Sequence, residues 1–173
     1  MSLRDYQRLK VILLGNAGAG KSTLARQLLE KESASCLSLD AIAFKDGSNR
    51  RPIAESISKA ESFIASNESW IIEGCYADII KPILKYCEIL IFLNPGIETC
   101  VSHCHARSWE PEKFTSQKKQ DENLNNLIAW VRKYETRDDE YGLRRHREIY
   151  EAFRGEKYEF NDPEEYATVS RIF

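Results

Sequence analysis

The stretch that most limits what this chain can fold into is Gly15–Ser22, which fits G-x-x-x-x-G-K-[ST] at every fixed position. A short apolar run, Lys10–Leu14, precedes it. A helical pattern with Leu24, Leu28 and Leu29 follows over Lys21–Glu30. Strand, glycine-rich turn and helix are the context in which this Walker A pattern cradles a phosphate chain. Gly18 and Gly20 let backbone N–H groups turn inward with no Cβ in the way. The helix that starts there aims its unpaired N–H groups and positive dipole end at the same anion. Gly15, Asn16, Ala17, Gly18, Ala19, Gly20, Lys21, Ser22 and Thr23 are therefore the expected nucleotide-binding residues. Lys21 reaches the β- and γ-phosphates, Ser22 offers its hydroxyl to Mg2+, and Thr23 contacts the α-phosphate.

The rest of the chain repeats the strand–helix alternation. Ser35–Leu39 alternates like a second strand and ends at Asp40, followed by a polar stretch over Lys45–Pro52 and a helix over Ile53–Ser66. Trp70–Glu73 reads as a third strand stopped by Gly74, Ala77–Lys85 as a short helix containing Pro82, and Glu88–Leu93 as a fourth strand. Ile97–Ala106 is a helix. Ser108–Glu122 is polar and aperiodic and reads as a mobile loop. Asn123–Phe153 is one long helical pattern that Gly142 can interrupt. Lys157–Phe160 is a fifth strand, and Asn161 or Asp162 caps a last helix from about Pro163. Five strands alternating with helices predict a single α/β domain with a parallel sheet and right-handed crossovers.

Ligands of such sheets bind outside the carboxyl ends of the strands. Two acids are expected there: Asp40 after strand 2 and Glu73 at the end of strand 3. Phosphoryl transfer needs a carboxylate near the metal and a group that orients the attacking oxygen. Asp40 fits the second role, beside the apolar residues up to Phe44. Glu73 fits the first, holding Mg2+ directly or through a bound water. Gly74 would let an acceptor approach the backbone closely. Tyr76 lines the same pocket or belongs to the core, and Arg51 matters if the acceptor is an anion. Cations that could stabilise transition-state charge are Arg107 in a lid at about 105–122 and Arg137, with Lys133 and Arg144, on one face of the long helix. Lys118 and Lys119 read as plain surface.

Composition narrows the partners. Charged residues make up 30% of the 173 and the formal net charge is -2, so the chain has no global attraction to nucleic acid or to an acidic membrane. No apolar run approaches the roughly 20 residues that span a bilayer, and Val11–Leu14 is too short for a signal peptide. A cytoplasmic protein, monomer or homodimer, is the expectation. Five cysteines, an odd number, do not suggest a disulfide framework. The cluster Cys100, His103, Cys104 and His105 reads better as buried thiols on one helix face than as a zinc site.

With these residues in view the sequence resembles the P-loop small-molecule kinases, the group that holds adenylate, shikimate and gluconate kinases. The resemblance covers nearly the whole chain. It rests on Gly15–Ser22, on Leu39 and Asp40, on the stretch Trp70–Tyr76 (W-x-x-[DE]-G-x-Y), and on Arg107. Within the group it is closest to the adenylate-kinase-like subset labelled "topology modulation" proteins. The resemblance implies a three-layer P-loop fold with sheet order 2-3-1-4-5 and a helical lid, and Mg·ATP as donor. It also implies that Arg107 packs on the adenine or touches phosphates, with Asn161–Pro163 passing near the base. The chain also departs from the group. It lacks the D-G-[FY]-P-R of adenylate kinases and the triple glycine of shikimate kinases. Pro111 breaks the lid arginine pair, leaving Lys113 or Arg137 as the substitute. The acceptor therefore does not carry over. The alternatives are a P-loop ATPase or nucleotide switch with no acceptor, and a nucleic-acid-associated P-loop protein whose support is the stripe Arg144–Arg147. No N-K-x-D tetrapeptide marks a regulatory GTPase.

Overall fold

The computed structural model describes residues 8–46, 48–109, 111 and 115–173. A five-stranded, all-parallel sheet runs β2-β3-β1-β4-β5. Its strands are β1 (Lys10–Gly15), β2 (Ser35–Ser38), β3 (Trp70–Gly74), β4 (Ile89–Leu93) and β5 (Glu156–Phe160). The three central strands are nearly continuous apolar runs because helices cover both of their faces, whereas β2 and β5 at the edges carry polar residues.

Successive side chains of a strand point to opposite faces, and β1 shows this directly. Ile12 and Leu14 join a core with Trp70, Ile72, Leu90 and Phe92. That face is covered by α3 (Ile53–Ser66), α4 (Ala77–Ile83) and α7 (Leu143–Ala152). Val11 and Leu13 join a second core with Ile71, Ile91 and Leu93. Over it lie α1 (Lys21–Leu29), α5 (Ile97–His105), α6 (Gln117–Val131) and a terminal 3-10 helix, Pro163–Arg171. The order is that of a P-loop α/β fold. The chain leaves β1 toward one edge of the sheet and, from β2 on, travels the other way, so the connections after β1 and after its neighbours β3 and β4 depart in opposite directions and a crevice forms beside the phosphate loop.

Two stretches differ from the sequence-based expectation. The loop expected over Ser108–Glu122 is already helical from Gln117, because the Ser116 side chain accepts a hydrogen bond from Lys119 N and caps α6. Lys113 lies outside the described residues. The long helix expected over Asn123–Phe153 is two helices. It stops at Val131, and the chain turns back so that Leu143 N donates to Tyr134 O at 2.8 Å. Gly142 then opens α7, and a Cβ there would stand 2.4 Å from the Arg137 carbonyl oxygen. Lys133, Arg137 and Arg144 consequently do not share one helical face. Arg144 sits on α7, paired with Asp138 at 3.1 Å. Near Asp40 the chain forms α2 (Asp40–Ala43), one short turn after β2. Among the described residues, no helix is long and apolar enough to cross a membrane.

Candidate active site

The parallel register brings the ends of β1, β2 and β3 to one edge: Leu14 stands beside Gly74, and Ser38 beside Glu73. A cleft of about 1140 Å³ opens there. The phosphate loop forms its floor. Gly18 and Gly20 have φ of 78° and 99°, a region that side chains other than glycine rarely adopt. A Cβ on Gly18 would also meet the Cys100 carbonyl oxygen at 2.4 Å and Cys104 Sγ at 2.9 Å. Of the expected nucleotide-binding residues, Ala17, Gly18, Gly20, Lys21, Ser22, Thr23 and Arg107 line the cleft. Gly15, Asn16 and Ala19 shape the loop from behind. Gly15 packs against Leu93, Ala19 is fully buried, and Asn16 Nδ2 donates to Val131 O at 3.3 Å.

Lys21 is 7% exposed, and its ammonium donates to the Asn16 carbonyl at 2.7 Å. Beside it the Ser22 hydroxyl donates to Glu73 Oε1 at 3.2 Å, and Glu73 is 5% exposed. The two metal candidates are therefore brought together. A hydroxyl and a carboxylate are hard oxygen donors, the kind Mg2+ takes when it is held by one or two protein groups and by substrate phosphates. Among the described residues no group of three or more His, Cys, Asp or Glu forms a cage for a metal.

Asp40 stands on the cleft wall and accepts a hydrogen bond from the Tyr76 hydroxyl. Burial first, and then the charge of Asp40, push the Tyr76 phenol well above its ordinary range, so it remains a donor. Tyr76 is thus both core, at 4% exposed, and cleft wall. Gly74 also lines the cleft, but a Cβ there would meet Leu39 Cβ at 2.8 Å. The glycine makes room for Leu39 while its backbone stays on the cleft.

Two expected cations are not at the cleft. Arg51 pairs with Glu55 at 3.8 Å and does not line it. The antiparallel bridge between Phe44 and Arg50 turns the neighbouring Arg50 toward the aromatic residues instead. Arg137 lies against Trp130, 4.4 Å from its ring centre, and pairs with Asp139 at 2.7 Å, outside the lining residues.

Sequence reasoning missed several wall residues. Trp130 and Tyr141 are set there by the turn between α6 and α7. Their signal was the dense run of aromatic and arginine residues from Trp130 to Tyr141. His103 lines the cleft and its Nδ1 lies 2.7 Å from the Gly18 carbonyl oxygen. A carbonyl only accepts, so Nδ1 carries the hydrogen. Tyr166 donates its hydroxyl to Ala19 O at 2.9 Å, and with Pro163 and Ala167 it walls the cleft close to the loop expected near the base. Cys100 and Cys104 are buried on α5 against the phosphate loop, and burial raises both thiols.

No protein-family model matches the sequence, and no curated protein matches it. Solved structures do resemble its fold. A gluconokinase from Sinorhizobium meliloti 1021 superposes with a TM-score of 0.56 at 13% identity, over 95% of this chain and 90% of that one. A shikimate kinase from Acinetobacter baumannii, in complex with shikimate, gives 0.51 at 19% identity, over 95% and 90%. A shikimate kinase from Bacteroides thetaiotaomicron gives 0.50 at 15% identity, over 95% of each chain. At these identities the likeness is one of fold.

Proposed function

We propose that the protein is a kinase that transfers the γ-phosphoryl group of Mg·ATP to a hydroxyl of a small-molecule acceptor. The observation that carries the reading is the meeting of Ser22 and Glu73 beside Lys21, with Asp40 on the wall of the same cleft. In this reading Lys21 leaves the Asn16 carbonyl to balance phosphate charge, and Arg107 adds to that charge balance from the segment after α5. Ser22 and Glu73 would hold Mg2+, whose charge would offset that of the phosphates. Asp40 takes the proton of the acceptor hydroxyl as its oxygen bonds to the γ-phosphorus. The bond from that phosphorus to the β–γ bridging oxygen breaks, and ADP leaves.

Closure of a lid at about residues 105–122 would exclude water from the transfer. The kinase likeness of the fold supports the reading, as does the fit of the loop to the Walker A pattern. The W-x-x-[DE]-G-x-Y stretch supports the narrower likeness to the "topology modulation" subset. A cytoplasmic location suits such an enzyme. The test is Mg·ATP consumption against nucleosides, nucleoside monophosphates, sugar acids and shikimate, each beside an acceptor-free control. ADP that appears only with an acceptor, with phosphate recovered on that compound, is the expected result. ADP formed equally without any acceptor would replace the kinase with an ATPase or switch.

A further inference from the structure

The cationic and the aromatic lining of the cleft come from different parts of the chain. Its cationic lining residues, Lys21, Arg26 and Arg107, belong to the phosphate loop, α1 and the segment after α5. The wall around Asp40 is different. It is built of Phe44, Tyr76, Trp130 and Tyr141, whose rings meet edge to face at centroid distances of 6.3, 5.4 and 5.3 Å along the series Phe44–Tyr76–Tyr141–Trp130. The acids on the cleft are Asp40 and Glu73, and Arg50, Arg51 and Arg137 are not among the residues that line it.

Two arginines are near but committed elsewhere. Arg50 lies 5.1 Å from the Tyr76 ring centre and 5.7 Å from that of Tyr141, and it is held by Asp78 at 2.8 Å and Glu140 at 3.7 Å. Arg137 packs on Trp130 and Tyr141; its Nη2 is held by Asp139, and its buried Nε and Nη1 have no hydrogen-bond partner. Arg51 is held by Glu55. None of the three lines the cleft, so an anionic acceptor beside these rings would need one of them to turn from where it packs, and would still face Asp40. Desolvating a carboxylate or phosphate against an acid and aromatic faces is costly. A flat ring or the apolar face of a sugar gains from the same wall, since aromatic rings offer area at little entropic cost.

Resting on the phosphotransferase reading, we infer that the acceptor carries no negative charge: it is a hydroxyl compound with a flat ring that stacks in the Phe44–Tyr76–Tyr141–Trp130 wall and gives its hydroxyl hydrogen to Asp40. The acceptor site thereby excludes sugar acids, ring carboxylates and nucleoside monophosphates.

Matched pairs that differ only in charge test this. The pairs are adenosine with adenosine monophosphate, and shikimate methyl ester with shikimate. Binding is measured by titration calorimetry on the full chain already saturated with Mg2+ and a non-hydrolysable ATP analogue, so that the phosphate loop is filled. Binding of the analogue is read first. Its absence removes the phosphotransferase reading, and the acceptor class with it. Where the analogue binds, the neutral member of at least one pair should bind about tenfold or more tightly than its anionic partner. Asp40→Asn should narrow that preference, an effect that a merely structural role for Asp40 would not produce. An anionic member that binds as well as or better than its neutral partner overturns the inference. So does failure of both neutral members to bind at about 10 mM, a concentration at which even weak stacking registers. In both of those cases the kinase reading stands.

Discussion

The Asp40 carboxylate has one oxygen engaged by the Tyr76 hydroxyl, and in the proposed reaction the other would receive an acceptor hydroxyl. Replacing Asp40 with Asn should lower kcat by about 10²–10⁴-fold, the usual span for a general base, with little change in KM for ATP. Steady-state kinetics with the identified acceptor check it, and an unchanged kcat would remove Asp40 from the chemistry. Tyr76→Phe keeps the wall and frees the carboxylate, and it should lower kcat by about tenfold, roughly the worth of one aligned hydrogen bond. Lys21→Ala should abolish measurable transfer and weaken nucleotide binding, because Lys21 is expected to serve both charge balance and positioning. Calorimetry with the ATP analogue reads the second effect. At this scale the sequence was most informative where chemistry and spacing coincide. The loop from Gly15 to Ser22, Asp40 and Glu73 were legible because motif and strand end name them. Arg51, expected to matter for an anionic acceptor, pairs with Glu55 away from the cleft lining, while its neighbour Arg50 packs on Phe44, Tyr76 and Tyr141; nothing local in the sequence encodes that difference.

The junction of α6 and α7 matters most at the level of elements. Continuous apolar periodicity hid it, because Val131, Tyr134 and Ile149 are buried on both sides of the break and keep a helical spacing across it. By contrast, α3 was legible to the residue, being amphipathic and bounded by Pro52 and Asn67. The break folds the chain so that Trp130 and Tyr141 meet, and this is why the aromatic wall could not be read in advance. Gly142 has no positive φ; its requirement is space. Gly142→Ala should therefore shift the turn by forcing apart the new Cβ and the Arg137 carbonyl, at a cost of about 1–3 kcal/mol, typical of overpacking. Thermal unfolding measures that cost. A variant as stable as the parent would show that the turn is slack.

For the molecule as a whole, His146 ties α7 to the chain just after β3 and to the turn after α6. It is fully buried. Its Nε2 lies 2.9 Å from the Cys75 carbonyl oxygen, which can only accept, so Nε2 carries the hydrogen. Nδ1 then accepts from the Tyr134 hydroxyl at 2.7 Å. The buried ring is neutral, and desolvation lowers its pKa from 6.5 to about 4. A histidine with a depressed pKa leaves the unfolded chain with more bound protons between those values. Its contribution to stability is therefore complete above about pH 6.5 and is lost as the pH falls to about 4. The size is a few kcal/mol, from roughly 1.4 kcal/mol per pKa unit. Denaturation midpoints measured across that window should fall with pH, and the NMR signals of the His146 ring should stay those of neutral imidazole through pH 5. A ring midpoint near 6.5 would refute the assignment. Because Cys75 lies between Glu73 and Tyr76, acid that charges His146 should loosen the site along with the core.

The hydroxyl of Tyr166 fastens the phosphate loop at Ala19, 147 positions earlier in the chain. A ribosome that has finished the loop must therefore synthesise nearly the whole domain before the clasp exists. Until then Gly20 has nothing of Tyr166 packed beneath it, and the nascent loop is free to sample conformations that grip a phosphate poorly. Nucleotide capture should thus come late in synthesis and all at once, so that a half-made chain neither binds nor is stabilised by the ATP around it.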